Sequence, residues 1–194
     1  IGYKPQEYRE VDDPFMDYPE KIHEKYKFIE GMPVILNLKE IAAIGFVGNR
    51  EHLYQMVKNL ILLVSTEHYY QDMKMFLIMD EQDSNQFYWA RWIKNMSEEG
   101  IIRNFAFDEK SNKVVLEYLY SELCNREKLK KNEIEQMPVY MVFVYRSEVI
   151  GNHPVSKYIE RAVDYGFCFV FFEEYAELLN QYCKKRIFLQ TAEL

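Results

Sequence analysis

The segment that most constrains the fold covers residues 41–64, IAAIGFVGNREHLYQMVKNLILLV. Its first seven residues are apolar or glycine, which predicts a buried strand over 41–47. After Arg50 the apolar residues recur at the spacing of one helix face. The residues on that face are Leu53, Met56, Val57, Leu60, Ile61 and Val64. A strand that leads through a glycine turn into an amphipathic helix is the unit from which parallel sheets are built.

The remainder of the chain continues to alternate apolar strands with helices. The predicted strands cover residues 34–38, 73–79, 101–107, 139–144, 167–172 and 186–189. The predicted helices cover residues 19–29, 84–96, 114–123, 155–165 and 175–182. This order predicts an α/β fold with a mostly parallel sheet, helices on both faces and right-handed crossovers. A ligand cleft would lie beyond the carboxyl ends of the strands.

Short polar residues and glycines predict where these helices begin and end. Asp108 or Ser111 is the expected N-cap of the long helix that includes 114–123. Gly31 is expected to close the helix over 19–29 and Gly166 the helix over 155–165.

Two further segments carry specific expectations. The indoles of Trp89 and Trp92 are expected to pack the 84–96 helix into the core. The charge run at 125–132 is expected to be solvated. The aromatic run 167–172 could line a ligand pocket, but a central buried strand explains it without a ligand.

Composition sets limits on the class of protein. A chain of 194 residues with 48% hydrophobic residues predicts one globular domain over 33–194, preceded by a proline-punctuated extension over 1–32. The net charge of −7 and the lack of a basic run argue against nucleic acid or an anionic membrane as a direct partner. No apolar run approaches the length that crosses a bilayer. The chain begins at Ile1 without an initiator Met, so we expect it to be part of a longer protein.

Cysteine and histidine spacing predicts no metal site. Cys124, Cys168 and Cys183 form no C-x-x-C pair and lie in apolar or helical patterns, which favours reduced thiols. The histidines are scattered without ligand spacing. They are His23, His52, His68 and His153.

The turn after the 41–47 strand has the frame of a phosphate-binding loop without its chemistry. A P-loop reads G-x-x-x-x-G-K-[ST], and its backbone N–H groups, Lys and hydroxyl bind the phosphates and Mg²⁺. Counted from Gly45, with Gly48 inside the turn, the second Gly position is Arg50, the Lys position Glu51 and the Ser/Thr position His52. A carboxylate at the Lys position repels phosphate, so we expect no nucleoside triphosphate and no cofactor to bind. Ordinary βα units also show such glycines, so the order of further motifs must decide.

That order resembles the FtsK/SpoIIIE family of motor domains over about residues 45–189. In that family the strand after the P-loop helix ends in Asp-Pro-Lys and is followed by a Leu-Pro-His-Leu-like turn. The matching stretches here are LIMDEQ, 77–82, and WIKNMS, 92–97. The family's next long helix carries a Glu-Met-Glu-x-Arg-Tyr signature, to which SELCNRE, 121–127, is similar.

The resemblance also indicates where the catalytic residues of the family are missing. Its Walker B strand ends in Asp-Glu, for Mg²⁺ and the attacking water, and PVYMVFVYRSE, 138–148, has Tyr145 and Arg146 there. Its later strand closes with Thr-Gln, where GFCFVFFEE, 166–174, has Glu173 and Glu174. By this resemblance, the P-loop, the Walker B motif and the later Thr-Gln motif are all altered, while their order along the chain is kept.

Within that family the sequence looks most like the membrane-bound ATPases of type VII (ESX) secretion, the EssC/EccC/YukB-like proteins. Their module next to the membrane segments begins with a strand similar to IGYK and continues through a pattern like residues 23–51. The resemblance implies a RecA-like P-loop NTPase architecture in a membrane-anchored protein, on the cytoplasmic side of the cell membrane. It also implies further motor modules in the same chain, other secretion-system components as partners and a possible homo-oligomer.

Three alternatives remain beside this interpretation. Asp80 and Glu148 could serve an ATPase with unconventional residues, although Asp80 also suits a turn or cap at a strand end. The cleft could sense another small molecule or nucleotide. Glu173 and Glu174 could form an acid–base pair, but neighbours in a strand point to opposite faces, so a solvated strand end is expected.

The sequence thus predicts a degenerate, non-catalytic ATPase-like domain that couples membrane segments to active motor modules. His52 is expected to be an exposed residue without ligand function. The expected docking surfaces are the exposed side of the helix over 113–131 and the acidic sheet end at Glu173 and Glu174.

Overall fold

A computed structural model of the chain describes residues 17–27, 35–37, 40–97, 103–145 and 147–189. It divides into two compact units, Ile1–Leu36 and Asn37–Leu194. In the first unit, α1 spans Tyr18–Lys25 and has a proline in its first turn. This helix was predicted over 19–29. It ends at Lys25, and the predicted closing residue Gly31 lies outside the described residues.

The second unit contains the parallel sheet. Its strands are β1 Ala43–Val47, β2 Met73–Ile78, β3 Phe105–Ala106, β4 Val139–Tyr145, β5 Phe167–Glu173 and β6 Lys185–Phe188. Its α-helices are α2 Arg50–Glu67, α3 Glu81–Ser84, α4 Glu109–Arg126, α5 Lys131–Ile134 and α6 Glu148–Gly151. The 3₁₀ segments are Asn85–Trp92, Lys94–Met96, Pro154–Tyr165 and Ala176–Leu178.

The sheet has the order β3-β2-β4-β5-β1-β6, and each of its strand pairs is parallel. β5 lies between β1 and β4, with Val47 opposite Glu173 and Tyr145 opposite Phe172. The carboxyl ends of β1, β4 and β5 therefore meet at one edge. The predicted α/β architecture with a parallel sheet is confirmed.

Helices cover both faces of this sheet. One face carries the core cluster to which α4 and the segment Pro154–Tyr165 contribute, together with alternate residues of β4 and β5. On the other face α2 buries Leu53, Val57, Ile61 and Val64, four of the six residues of the predicted stripe, while Met56 and Leu60 are only partly buried. Since side chains alternate between the faces of a strand, each buried strand serves both layers. This explains why the strands are apolar from end to end.

The predicted capping residues are confirmed in the second unit. Asp108 is the N-cap of α4, and its carboxylate accepts the backbone N–H of Ser111 at 2.7 Å. The Ser111 hydroxyl completes a capping box with the N–H of Asp108 at 3.0 Å. Gly166 ends the Pro154–Tyr165 segment with φ of 72°, a left-handed conformation that favours glycine.

The segment predicted as one indole-packed helix over 84–96 is different in the structure. It forms a 3₁₀ helix that buries Phe87 and Ala90, three residues apart, as the period of a 3₁₀ helix requires. Trp92 is 78% exposed and Trp89 is 36% exposed, so the prediction that the indoles pack the core is wrong.

Several other predicted boundaries are also wrong. Residues 35–37 form no strand and Ile35 is 83% exposed, while Val34 and Leu38 lie outside the described residues. Of the strand predicted over 101–107, residues 101 and 102 lie outside the described residues, and among the described ones only Phe105–Ala106 form β3 and pair with β2. The helix predicted over 175–182 is reduced to the 3₁₀ turn Ala176–Leu178, since the chain bends there toward β6.

Candidate functional site at the carboxyl edge of the sheet

The turn from β1 to α2 is too short to form a P-loop. β1 ends at Val47 and α2 begins at Arg50, so only Gly48 and Asn49 join them. The Gly48 N–H donates to the Glu173 carbonyl at 3.2 Å, and the Val47 carbonyl accepts the Leu189 N–H at 2.7 Å. Because the backbone continues the sheet pairing up to Gly48, no loop arches outward to present its N–H groups to a phosphate.

The two glycines of this frame have packing roles. A Cβ atom at Gly45 would lie 2.6 Å from Cδ1 of Leu179, and one at Gly48 would lie 2.9 Å from Cβ of Leu189. Such distances are below van der Waals contact, so a larger residue would displace these leucines. Close approach of neighbouring chain segments explains both glycines without a ligand.

The first turn of α2 is capped by the chain itself. Asn49 is the N-cap, and its side chain accepts the His52 N–H at 2.9 Å. Glu51 is exposed on this turn, while His52 is half-buried, so the predicted full exposure of His52 is wrong. The imidazole of His52 makes no hydrogen bond or ion pair with any of the residues described.

Arg50 belongs to a side-chain cluster that we call the Arg50 cluster, formed by Arg50, Tyr54, Asp83 and Tyr145. The Arg50 guanidinium pairs with the Asp83 carboxylate, and its Nε donates to the Tyr54 hydroxyl at 2.6 Å. The same hydroxyl donates to Asp83, whose side chain is only 2% exposed. Hydrogen bonding to Asp83 raises the pKa of Arg50 above its ordinary value, with Tyr54 as the second cause.

Tyr145 completes this cluster at the end of β4, where the resemblance places a Walker B aspartate. Its ring stacks on Tyr54 with centroids 5.6 Å apart. It is buried, and its hydroxyl has no hydrogen-bond partner among the described residues. Burial raises the pKa of Tyr145, and nearby Tyr54 and Asp83 raise it further. At neutral pH the ring is therefore uncharged and offers no anionic ligand to a cation. Arg146, the next residue of this station, lies outside the described residues.

Glu173 does not form the solvated strand end that its sequence predicted. It is only 6% exposed, and its carboxylate accepts the backbone N–H of Ser147 in the turn after β4. Its main-chain carbonyl accepts from Gly48. Since β5 is paired up to this residue, Glu173 links the ends of β1, β4 and β5. Glu174 alone is exposed, so the predicted docking surface at this end loses one of its two carboxylates.

The remaining predicted residues lie at the same edge of the sheet. Asp80 is the N-cap residue of α3, directly after β2, in agreement with the predicted cap. Glu148 is exposed and begins α6, after the neighbouring strand β4. Within the described part of the chain, no group of three or more His, Cys, Asp or Glu side chains could hold a metal ion. No described helix is long and apolar enough to cross a membrane.

Sequence reasoning missed Tyr54 and Asp83. Tyr54 lies four residues after Arg50, so helix periodicity places the two side chains on one face, and this signal was available. Asp83 is 33 residues from Arg50, and no local pattern brings them together. A shallow pocket of about 360 Å³ adjoins this cluster, lined by Arg50, Glu51, Tyr54, Gln55, Lys58 and Gln86.

Solved structures define the class of fold. The chain matches the cytoplasmic domain of EssC with a TM-score of 0.60 and 14% identity, covering 82% of this chain and 35% of that one. It matches EssC (ATPases 2 and 3) from Geobacillus thermodenitrificans with a TM-score of 0.60 and 12% identity, covering 81% of this chain and 34% of that one. The chain therefore has the α/β fold of P-loop ATPase domains.

Sequence similarity extends this to a particular group of proteins. The type VII secretion system protein EssC of Staphylococcus aureus (strain NCTC 8325) is 25% identical over 190 residues, which is 94% of this chain and 13% of EssC. The ESX secretion system protein EccC of Geobacillus thermodenitrificans is 22% identical over 176 residues, which is 89% of this chain and 12% of EccC. No protein-family model matches. The chain is homologous to EssC and EccC, and it spans only a small part of their length.

Proposed function

We propose that this chain is a non-catalytic ATPase-like module of a type VII secretion motor, within the FtsK/SpoIIIE type. In this role it lies on the cytoplasmic side of the cell membrane in a membrane-anchored protein and couples membrane segments to active motor modules. The observation that carries the proposal is the Arg50 cluster, in which Asp83 and Tyr54 already bind the only guanidinium on the first turn of α2.

Electrostatics supports the absence of nucleotide binding. Arg50 is the only cation on the first turn of α2, and the buried Asp83 already neutralises it. Glu51 adds a negative charge where a P-loop has its Lys. A triphosphate would lack a P-loop cradle and would face Glu51 as well as Lys58 in the adjoining pocket, so binding should weaken by several kcal/mol, roughly three or more orders of magnitude.

Calorimetric titration of the purified chain with ATP and Mg²⁺ tests this proposal. We expect no saturable heat at physiological ATP concentrations. An active P-loop ATPase titrated in the same buffer is the positive control, and ATP without Mg²⁺ shows whether any heat depends on the metal. A micromolar dissociation constant would contradict the proposal.

The unconventional ATPase remains a second candidate because Asp80 and Glu148 follow neighbouring strands at one sheet edge. Measuring phosphate release by the wild type and by an Asp80→Asn, Glu148→Gln double variant separates the two candidates. Hydrolysis that the double variant loses would favour this enzyme. Equal, background rates in both proteins agree with the non-catalytic module.

The partners that we propose are neighbouring modules of the parent protein and other secretion-system components, with a homo-oligomer possible in the full-length protein. Support comes from the relatives, since the solved Geobacillus thermodenitrificans EssC chain holds two ATPases and this fold covers 34% of it. A module without chemistry of its own would contribute through its surface.

A further inference from the structure

One surface of this molecule exposes an unusual amount of aromatic area. In the 3₁₀ segment Asn85–Trp92, Tyr88 is 42% exposed, Trp89 36% and Trp92 78%. The segment is anchored from beneath by the fully buried Phe87 and Ala90. Indole and phenol rings are large apolar groups that a monomer rarely leaves together in water, and they are enriched at the centres of protein interfaces.

Cations accompany these rings. The guanidinium of Arg91 lies over the ring of Tyr88 at 5.9 Å and over that of Trp92 at 5.1 Å. Two residues further on, the ammonium group of Lys94 lies 5.1 Å from the ring centroid of Tyr70. Neither cation forms an ion pair with a carboxylate of the described residues. We call Tyr88, Trp89, Arg91, Trp92 and Lys94 the aromatic patch.

Hydrogen bonds within the chain position Trp89, one of the rings of the patch, before any partner arrives. The Trp89 indole N–H donates to the Gln86 carbonyl at 3.0 Å, and the Gln86 side chain accepts from Lys58 of α2 at 3.1 Å. A surface that is already ordered loses less entropy on binding, which favours affinity. Asp83 directly precedes this segment and pairs with Arg50, so the patch and the first turn of α2 are physically joined.

We infer that the aromatic patch docks onto a neighbouring module of the parent protein, at an apolar pocket that receives the Trp92 ring and is rimmed by carboxylates facing Arg91 and Lys94. This inference rests on the proposed function, because it names the surface through which the module acts. Charge complementarity supports an acidic protein rim, because neither Arg91 nor Lys94 pairs with a carboxylate of the described residues. The relatives extend far beyond the region that this chain matches, since the chain spans 13% of EssC. A parent protein of similar length would offer further protein surface for docking.

An anionic membrane is a weaker explanation of the same features. Binding of a protein to such a surface depends on clusters of several cations at about 1 kcal/mol each. The patch has two cations. The chain as a whole would be repelled by an anionic membrane because its net charge is −7.

Photo-crosslinking in the full-length parent protein tests the docking surface. A photoreactive phenylalanine analogue replaces Trp92, and the matched control places it at Lys157, which is exposed on the Pro154–Tyr165 segment at the opposite face of the sheet. We expect cross-links from position 92 to another module of the parent, identified by mass spectrometry, and at least about ten-fold fewer from position 157. Equal yields at both positions, or products only with lipid or with an unrelated protein, would overturn the inference.

Two variants and one optical measurement sharpen the result. With the analogue at Tyr88, Trp92→Ala and Arg91→Glu should each lower the yield about ten- to thirty-fold, as expected for interface hot spots, while Lys157→Glu leaves it unchanged. Far-UV circular dichroism verifies that each variant is folded. Trp89 and Trp92 are the only two tryptophans of the chain, so a blue shift of its emission with phosphatidylserine vesicles would assign the patch to the membrane and overturn the inference.

The outcome can be separated from that of the proposed function. Cross-links to a neighbouring module together with micromolar ATP binding would retain the docking surface and reject the non-catalytic assignment. The absence of cross-links in a chain that binds no ATP would reject the docking surface alone.

Discussion

Arg126 and Arg50 lie at opposite edges of the sheet and differ in the groups that they contact. Arg126, at the amino ends of β4 and β5, is fully buried and its Nη1 donates to the carbonyls of Pro138 at 2.9 Å and Tyr165 at 3.0 Å. Its guanidinium lies 4.3 Å from the ring centroid of Tyr140. Arg50, at the carboxyl edge, has a half-exposed side chain and is bound mainly by Asp83 and Tyr54. Arg126 thus joins helix to sheet, while Arg50 joins the first turn of α2 to α3.

This comparison indicates which edge of the sheet is more sensitive to substitution. The contacts of Arg126 tie the end of α4 to the turns that precede two central strands, so its loss would disturb the frame of the domain. The contacts of Arg50 join the first turn of α2 to α3 without entering the core cluster. We expect the largest stability effects at the amino edge and smaller ones at the carboxyl edge.

The largest effect is expected for Arg126→Ala. The substitution leaves a cavity between Tyr140 and Phe167, removes the hydrogen bonds to two buried carbonyls and leaves Glu122 without its 3.0 Å partner. Loss of one member of a buried ion pair typically costs about 3–5 kcal/mol. Urea unfolding measures this cost. Arg161→Ala, which breaks the exposed pair with Asp164, is the matched control and should cost less than about 1 kcal/mol. Similar midpoints for the two variants would refute the contrast between the arginines.

Arg126 also shows where the sequence misleads. It lies in the charge run 125–132, which was predicted to be solvated, and it is fully buried. The apolar stripe of α4 and the Asp108 cap could be predicted because they depend on neighbours within one helix. The burial of Arg126 depends on Pro138 and Tyr165, which lie 12 and 39 residues further along the chain. Periodicity contains no information about such contacts.

The carboxyl edge has the same division between local and distant signals. The predicted positions of Arg50 and Glu51 in the P-loop pattern were counted from Gly45, and that of Tyr145 came from the resemblance to the FtsK/SpoIIIE family. The pairing of Arg50 with Asp83, and the burial of Glu173, required the sheet order that brings β2, β4 and β5 together. The exposed indoles were missed because a 3₁₀ segment shifts which residues face inward.

A second effect, smaller than that of Arg126→Ala, is expected when the P-loop residues are restored. The triple variant Arg50→Gly, Glu51→Lys and His52→Thr should remain without ATPase activity, because the turn still contains only Gly48 and Asn49 and Tyr145 still stands where the resemblance places the Walker B aspartate. It should also lose about 1–3 kcal/mol of stability, since the buried Asp83 keeps no guanidinium partner. Phosphate release and urea unfolding measure the two effects.

Glu51→Lys alone, at an exposed position, is the control and should change stability little. Phosphate release above background by the triple variant would show that a catalytic glutamate lies elsewhere than at the position of Arg146.

The smallest effect is expected for Tyr145→Phe, which removes a buried hydroxyl that has no partner among the described residues. Leaving a buried polar group unpaired costs free energy, so at neutral pH the variant should be as stable as the wild type or up to about 1 kcal/mol more stable. Tyr54→Phe is the matched control. Its hydroxyl bonds both Arg50 and Asp83, so its loss should cost about 1 kcal/mol.

Tyr145→Phe should also differ from the wild type in how its stability changes at alkaline pH. Because burial raises the pKa of Tyr145 above its ordinary value of about 10, the unfolded chain releases this proton at a lower pH than the folded chain does. The stability that the neutral ring provides is therefore complete below about pH 10 and declines as the pH rises further. Tyr145→Phe removes that decline, so the advantage of the variant should widen in urea titrations from about pH 9 to pH 11. A constant difference across this range would mean that Tyr145 ionises as freely in the folded chain as in the unfolded one. The carboxyl edge would then be open to water around Tyr145, in contrast to the buried surroundings of Arg126 at the amino edge.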